Sequence, residues 1–255
     1  MNVLVLGGTT EGRQLAELLA GAPDTNVVVS LAGHTTDPAA VPCRVRTGGF
    51  GGVDGLVAHL HATAVDALVD ATHPFSATMP ANAAKASARV GVPRLRLIRP
   101  AWERRPGDRW TDAADLHEVR RQLVERDARR VLLTTGRLDL AAFASLRNMH
   151  FVVRTVEEPD PMPLPDATVI RARGPFDVAA EAALLRDHHI DTVVTKNAGG
   201  PDAKLVAARR AGVAVLMVRR PPVGSGAQAA TATEARTWLD RQRDHIHASR
   251  RAGSP

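Results

Sequence analysis

The sequence predicts an α/β protein of two lobes, each a mainly parallel sheet covered by helices, with a cleft between the lobes. Three observations carry this. Short runs rich in Val, Ile and Leu alternate with helical periodicity along almost the whole chain, the pattern of βα units with right-handed crossovers. The apolar runs show little polar alternation, as expected for strands covered on both faces. A polar stretch with two prolines, 99–108, interrupts the alternation and reads as a connection. The expected lobes are therefore 1–100 and 101–255.

In the first lobe, Val3-Leu4-Val5-Leu6 is the opening strand, stopped by Gly7-Gly8. Amphipathic periodicity then predicts a helix over 11–20. Strands follow at 27–31, 44–46, 67–70 and 94–98, with helices at 54–61 and 77–90 between them. In the second lobe, strands are expected at 131–134, 151–154, 169–172, 192–195 and 214–218. Helices are expected there at 113–126, 138–145, 177–188, 203–211 and 233–247. The Pro-rich run 157–165 reads as a loop.

A chain of 255 residues is long enough for this organisation, and 44% hydrophobic residues is ordinary for a globular protein. No run of about 18 apolar residues predicts a membrane span. No charged-then-apolar leader precedes the first strand, so a cytoplasmic location is expected. Cys43 is the only cysteine, which excludes an intramolecular disulfide and a single-chain cysteine zinc site. The formal charge of +6 fits either a basic cleft for a polyanionic ligand or a solvated arginine-rich surface. Nucleic acid is disfavoured, because aromatics are only 3% and tyrosine is absent.

The first strand runs into Gly7-Gly8-Thr9-Thr10-Glu11-Gly12-Arg13. A glycine-rich turn between a strand and a helix aims a helix N-terminus at a phosphate, as in Rossmann-like dinucleotide sites. Gly7 and Gly12 match the first and last glycines of that fingerprint, while Thr9 stands at the middle one. The Thr9 hydroxyl suits either a phosphate oxygen or the helix cap. Glu11 lies in the first turn, favoured by the dipole but repulsive to a nearby phosphate. The second strand ends Ser30-Leu31-Ala32-Gly33-His34, with no acid at its tip to bond a ribose 2′-hydroxyl. Asp37 lies well beyond it. That absence favours NADP over NAD, with Ser30, His34, Arg44 and Arg46 as candidate donors.

Four glycines in the six residues Thr47-Gly48-Gly49-Phe50-Gly51-Gly52 suggest close backbone approach to a ligand or a tight loop with positive φ. The fourth strand empties into Asp70-Ala71-Thr72-His73-Pro74-Phe75-Ser76. Pro74 keeps His73 out of helical geometry. His73 can there orient a cofactor, bind a carboxylate or donate a proton, or be an ordinary loop residue. Ser76 is expected to cap the next helix. In the second lobe, Thr134-Thr135-Gly136-Arg137 and Lys196-Asn197-Ala198-Gly199-Gly200, with Lys204 one turn into the following helix, form a second anion-binding edge.

Taken in order and spacing, Gly7–Gly12, Asp70–Phe75, Arg99-Pro100-Ala101-Trp102, Leu133–Gly136, Gly174-Pro175-Phe176 and Lys196–Gly200 resemble the precorrin-6A reductase family of cobalamin biosynthesis over most of the chain. One departure is Ala198, where that pattern has a serine. The resemblance implies NADPH as cofactor and a polyanionic tetrapyrrole as substrate, reduced at one double bond to precorrin-6B. It implies cofactor binding by Gly7, Gly8, Thr9, Thr10, Glu11, Gly12, Arg13, Ser30, Gly33, Arg46, Gly48, Gly49, Thr72 and His73. Substrate binding falls to Pro74, Phe75, Arg99, Trp102, Thr135, Gly136, Arg137, Lys196, Asn197, Gly199, Gly200 and Lys204. His73 and Lys196 are the catalytic candidates, with no metal. Neighbouring pathway enzymes are the expected protein partners, and neither nucleic acid nor membrane is expected. Two other readings stay open: another NADP-dependent oxidoreductase, or a non-catalytic NADP-binding sensor. The missing tyrosine argues against Tyr–Lys short-chain dehydrogenase chemistry.

Overall fold

The computed structural model describes residues 1–33 and 40–252. The chain divides into two compact units, Met1–Pro100 with Pro221–Pro255, and Ala101–Arg220. The first contains β1 (Asn2–Leu6), α1 (Thr10–Leu19), β2 (Asn26–Leu31), β3 (Arg44–Thr47), α2 (Gly52–Ala62), β4 (Ala67–Asp70), α3 (Thr78–Val90) and β5 (Arg94–Leu97). The second contains β6 (Trp110–Ala113), α4 (Leu116–Glu125), β7 (Arg130–Leu133), a 3-10 segment (Arg137–Phe143) and β8 (His150–Thr155). It continues through β9 (Ala167–Arg171), α5 (Val178–Asp187), β10 (Thr192–Lys196), α6 (Ala203–Ala211) and β11 (Ala214–Val218). The chain then returns to the first unit with β12 (Ala227–Ala229) and α7 (Ala232–Ala252).

Each unit holds a six-stranded sheet, ordered β12-β5-β4-β1-β2-β3 in the first and β6-β11-β10-β7-β8-β9 in the second. Every pairing is parallel. Both sheets thus share the doubly wound order, and in both the sixth position is filled out of turn. β6 follows β5 in the chain but pairs with β11, whereas β12 follows β11 but pairs with β5.

The expected boundary of the second lobe at 255 is corrected by this return. Ala227 pairs with Leu95, and Ala235 and Leu239 of α7 enter the same core as Val3, Leu15 and Val69. The strand at 110–113 also shortens the helix expected over 113–126, and the one expected over 138–145 is a 3-10 turn.

Strand alternation explains the layers. Val3 and Val5 face α1 and α7, while Leu4 and Leu6 face α2 and α3 with Leu56, Leu60 and Ala83. A strand covered on both sides must be apolar at successive positions, as the fully buried Ala67-Leu68-Val69 is. In the second unit Leu132, Val152, Val193 and Val215 pack against Leu185 and Leu205 of α5 and α6. Because the strands run parallel, the loops after them gather at one carboxyl edge of each sheet, where ligands bind in such folds. No helix among the described residues is long and apolar enough to cross a membrane.

Candidate functional site

The first unit's carboxyl edge begins at the turn after β1. A Cβ on Gly7 would lie 2.9 Å from Leu31 Cδ2, and one on Gly12 would lie 2.8 Å from Ala71 Cβ. Those glycines let the turn sit against β2 and let α1 press on the end of β4. Gly8 adopts φ +132°, closed to most side chains. Thr9 caps α1: its Oγ1 accepts from Gly12 N at 3.2 Å and donates to Ala71 O at 2.9 Å. Of its two expected uses the structure takes the cap, and the hydroxyl proton is committed to Ala71. The N–H groups of Thr10 and Glu11 have no intrahelical carbonyl to meet, so the helix start keeps two donors for an anion.

Glu11 pairs with Arg99 at 3.0 Å, both side chains largely buried. This cancels the repulsion Glu11 would exert on a phosphate. Arg99, expected as a substrate contact, thus reaches the turn after β1. Arg13 is exposed and meets Glu17 at 3.4 Å.

At the ends of β2 and β3, Arg46 organises the glycine loop. Its Nη1 donates to Ser30 Oγ and Gly48 O, both at 2.9 Å, and its Nη2 donates to Gly49 O at 3.0 Å. The guanidinium carbon lies 3.9 Å from the centre of the Phe50 ring. All these partners are neutral, so none cancels the charge. Gly33, Gly48, Gly51 and Gly52 have φ between +77° and +106°, which makes this a tight loop of special conformations. The described tip of β2, Leu31-Ala32-Gly33, carries no acid; His34 and Asp37 lie outside the described residues. Burial, and then the Arg46 charge, push His59 below the usual histidine range, so it stays neutral near this arginine.

Beyond β4 lies a buried network that the sequence reading missed. Asp70 Oδ1 accepts from Thr72 N at 3.1 Å and Thr72 Oγ1 at 2.8 Å. Arg96 donates to the other Asp70 oxygen and, at 3.2 Å, to Thr72 Oγ1. Thr72, expected as a cofactor contact, thus commits its hydroxyl to the protein interior. The available signal was an arginine inside an apolar strand, Leu95-Arg96-Leu97, beside a strand ending in Asp70.

The network anchors the loop that presents His73. His73 is exposed, Pro74 buried and Phe75 half-buried. His73 Nδ1 accepts the Phe75 N–H at 3.3 Å, which assigns the proton of a neutral ring to Nε2. A Cβ built on Gly8 would lie 4.0 Å from His73 N, so the glycine turn after β1 and the His73 loop adjoin. Ser76 does not cap α3. Its N–H closes a turn on His73 O at 2.8 Å, and Ala77 is the N-cap, without a side-chain bond.

The second unit assembles its expected residues at the edge after β7 and β10. Asn197 Oδ1 accepts from Trp102 N at 2.8 Å and its Nδ2 donates to Trp102 O at 3.0 Å, gripping that backbone on both sides. Trp102 Nε1 donates to Gly200 O at 2.8 Å. Lys204 Nζ donates to Thr195 Oγ1 at 3.1 Å and Thr134 Oγ1 at 3.3 Å, and lies 5.3 Å from the Trp102 ring centre. Gly136, Gly199 and Gly200 have φ of +98°, +70° and +83°. Thr135 is 9% exposed, and its Oγ1 has no hydrogen-bond partner among the described residues.

Two of the expected cations meet protein acids at this edge. Lys196 Nζ meets Asp139 at 2.6 Å, and Arg137 meets Glu157 at 3.3 Å. Neither Asp139 nor Glu157 was anticipated, because nothing in sequence spacing shows which acid a loop cation will find. Phe176, from the Gly174-Pro175-Phe176 motif, covers Arg154 at 4.1 Å, and Arg154 pairs with the buried Glu181 at 2.9 Å. The motif is thus mostly exposed, with Phe176 laid over a buried ion pair.

Residues 2–240 match the family model described as Precorrin-6x reductase CbiJ/CobK. A precorrin-6A reductase of Rhodococcus erythropolis is 50% identical over 223 residues, covering 87% of this chain and 90% of that protein. One of Rhodobacter capsulatus is 44% identical over 240 residues, covering 93% and 95%. The solved structure of the CobK precorrin-6A reductase superposes with a TM-score of 0.89 at 42% identity, covering 95% of this chain and 97% of that one.

Proposed function

Because the chain belongs to the precorrin-6x reductase family, we propose that it moves hydride from NADPH to a double bond of the precorrin-6A macrocycle, giving precorrin-6B in cobalamin biosynthesis. The substrate gains two electrons and two protons. One proton arrives with both electrons as hydride, leaving NADP behind, and the other comes from an acid or solvent. When bound, the dinucleotide supplies the hydride; the chain's own residues hold, orient and protonate.

The observation that carries this reading is the first unit's edge. A capped helix start with two available N–H groups adjoins an exposed histidine, and an arginine whose hydrogen-bond partners among the described residues are neutral lies at the same edge, which supports a ribose phosphate there. Gly7, Gly8 and Gly12 allow close approach, and Thr10 and Glu11 N–H groups bind the pyrophosphate. Ser30, Gly33, Gly48 and Gly49 shape the pocket in which Arg46 takes a 2′-phosphate, the feature that selects NADPH over NADH. His73, with its Nε2 proton, faces the nicotinamide end. In the second unit, Lys196, Lys204, Arg137 and the hydroxyl of Thr135 receive the carboxylates of the tetrapyrrole. The cytoplasm as location and neighbouring pathway enzymes as partners belong to the same reading, supported by the single cysteine.

The test is anaerobic oxidation of NADPH in the presence of precorrin-6A, with NADH in parallel. Substrate-dependent oxidation of NADPH at a kcat/KM well above that for NADH is expected. No oxidation of either cofactor would overturn the assignment.

A further inference from the structure

We propose that Asp139 and Glu157 are internal stand-ins for substrate carboxylates: each occupies a cation of the second unit until an acid group of the tetrapyrrole replaces it. This rests on the reading that Lys196 and Arg137 receive substrate carboxylates. It goes beyond that reading in assigning the two acids a role in selecting the substrate class.

The geometry leads there directly. Asp139 meets Lys196 at 2.6 Å, with the two side chains 17% and 21% exposed; Glu157 meets Arg137 at 3.3 Å, with 21% and 38%. Asp139 belongs to the 3-10 segment after β7, and Glu157 follows β8, so both acids come from loops at the same carboxyl edge as their partners. Leu138 lies between Arg137 and Asp139 in the chain and is 78% exposed, and Val156, preceding Glu157, is 43% exposed. Two exposed apolar side chains, each next in the chain to an ion-paired residue, suit a flat apolar ring that carries acids on its rim.

The Arg137–Glu157 pair keeps access to water and exchanges readily, whereas the more enclosed Lys196–Asp139 pair opens only for a group that returns an equal charge to the lysine. A small monocarboxylate arriving at Lys196 gains little more than Asp139 already provides. A polycarboxylate exchanges both pairs at once and also covers Leu138 and Val156, so only it gains substantially. The acids therefore act as selection against simple anions, at some cost in affinity for the true substrate.

The experiment uses the full chain with Asp139→Asn, Glu157→Gln and their combination, in the anaerobic NADPH oxidation assay. Each single variant is expected to lower KM for precorrin-6A by roughly threefold, the scale of a partly exposed ion pair. Acetate and other small carboxylates are expected to inhibit the parent weakly at most and to compete with substrate in the double variant. Glu125→Gln, an equal charge change on α4, is expected to leave KM unchanged; an equal fall there would reduce the effect to net charge and overturn the proposal. Asp139→Ser removes the same charge should the amide disturb the fold. Lys196→Met separates the two levels. If it raises KM while Asp139→Asn and Glu157→Gln leave KM unchanged or raise it, the acids are not stand-ins. If none of these variants moves KM, the assignment of substrate to this edge has failed.

Discussion

Replacing Arg46 by Ala removes a guanidinium that donates to Ser30 Oγ, Gly48 O and Gly49 O and stacks on Phe50. Two effects follow, and they differ in their dependence on the cofactor. The glycine loop loses three hydrogen bonds that reach a half-open surface, which weakens either dinucleotide by a few-fold. The 2′-phosphate of NADPH additionally loses a charge-assisted contact of about 1.5–3 kcal/mol, or roughly ten- to hundredfold in affinity. NADH has no group to lose that contact. The ratio of kcat/KM for NADPH to that for NADH is therefore expected to fall ten- to hundredfold, driven by KM of NADPH, in steady-state assays at fixed low salt. Arg46→Lys keeps the charge but lacks the planar fork that spans Ser30 and the two carbonyls, so it falls between. Equal losses with both cofactors would show that Arg46 only clamps the loop and would refute the assignment of the phosphate to this edge.

Gly12→Ala places a methyl group 2.8 Å from Ala71 Cβ, so α1 must shift. A destabilisation of about 1–3 kcal/mol is expected in urea unfolding, together with weaker NADPH binding by fluorescence titration. Asp70→Asn leaves Arg96 buried without its counter-charge and is expected to cost about 3–5 kcal/mol of unfolding free energy, with loss of activity as the His73 loop loosens. His73→Ala is expected to slow single-turnover hydride transfer by about a hundredfold if the ring donates the proton, and an unchanged rate removes it from the chemistry. Burial raises the Asp108 carboxyl, but the Arg209 hydrogen bond and the charges of Arg209 and Arg105 outweigh this and hold it below its ordinary value. A depressed carboxylate contributes stability that is complete above the unfolded value near 4 and is lost as pH falls through the folded one. Asp108→Asn should therefore lower stability at pH 7 and flatten its decline below about pH 4, measured by urea unfolding at both pH values.

How legible an element was depended on how much apolar surface it had to bury. Ala67–Asp70 and Ala214–Val218 are enclosed on both faces, and that enclosure writes itself into the sequence as an uninterrupted apolar run. β12 is Ala-Gln-Ala at the edge of its sheet, with two of three residues exposed, and leaves no such trace. β6 was hidden in the same way, although its boundary had a readable mark. Asp115 accepts from Glu118 N at 2.8 Å and Glu118 from Ala114 N at 2.7 Å, a capping box that starts α4 after Ala113 instead of at it. Which sheet receives an edge strand is decided by long-range pairing, and no local pattern encodes it.

The candidate site divides along the same line. Glycines whose absence of a side chain is sterically required, Gly7 and Gly12, were readable because the requirement falls on the residue itself. Cations were readable as cations, but their state was not, since an ion pair is a property of two distant positions. Arg99 finds Glu11 across 88 residues, and Lys196 finds Asp139 across a shorter but still long-range gap. The basic balance of the sequence therefore overstated the charge available at these loops. Had Arg137 and Lys196 stood without acids, any phosphate or carboxylate metabolite would have been drawn to them. On the proposal that Glu157 and Asp139 stand in for substrate acids, attraction at that edge should grow only when several acids arrive together on one rigid frame. A tetrapyrrole with carboxylates around its rim meets that condition, whereas a single-acid ligand does not.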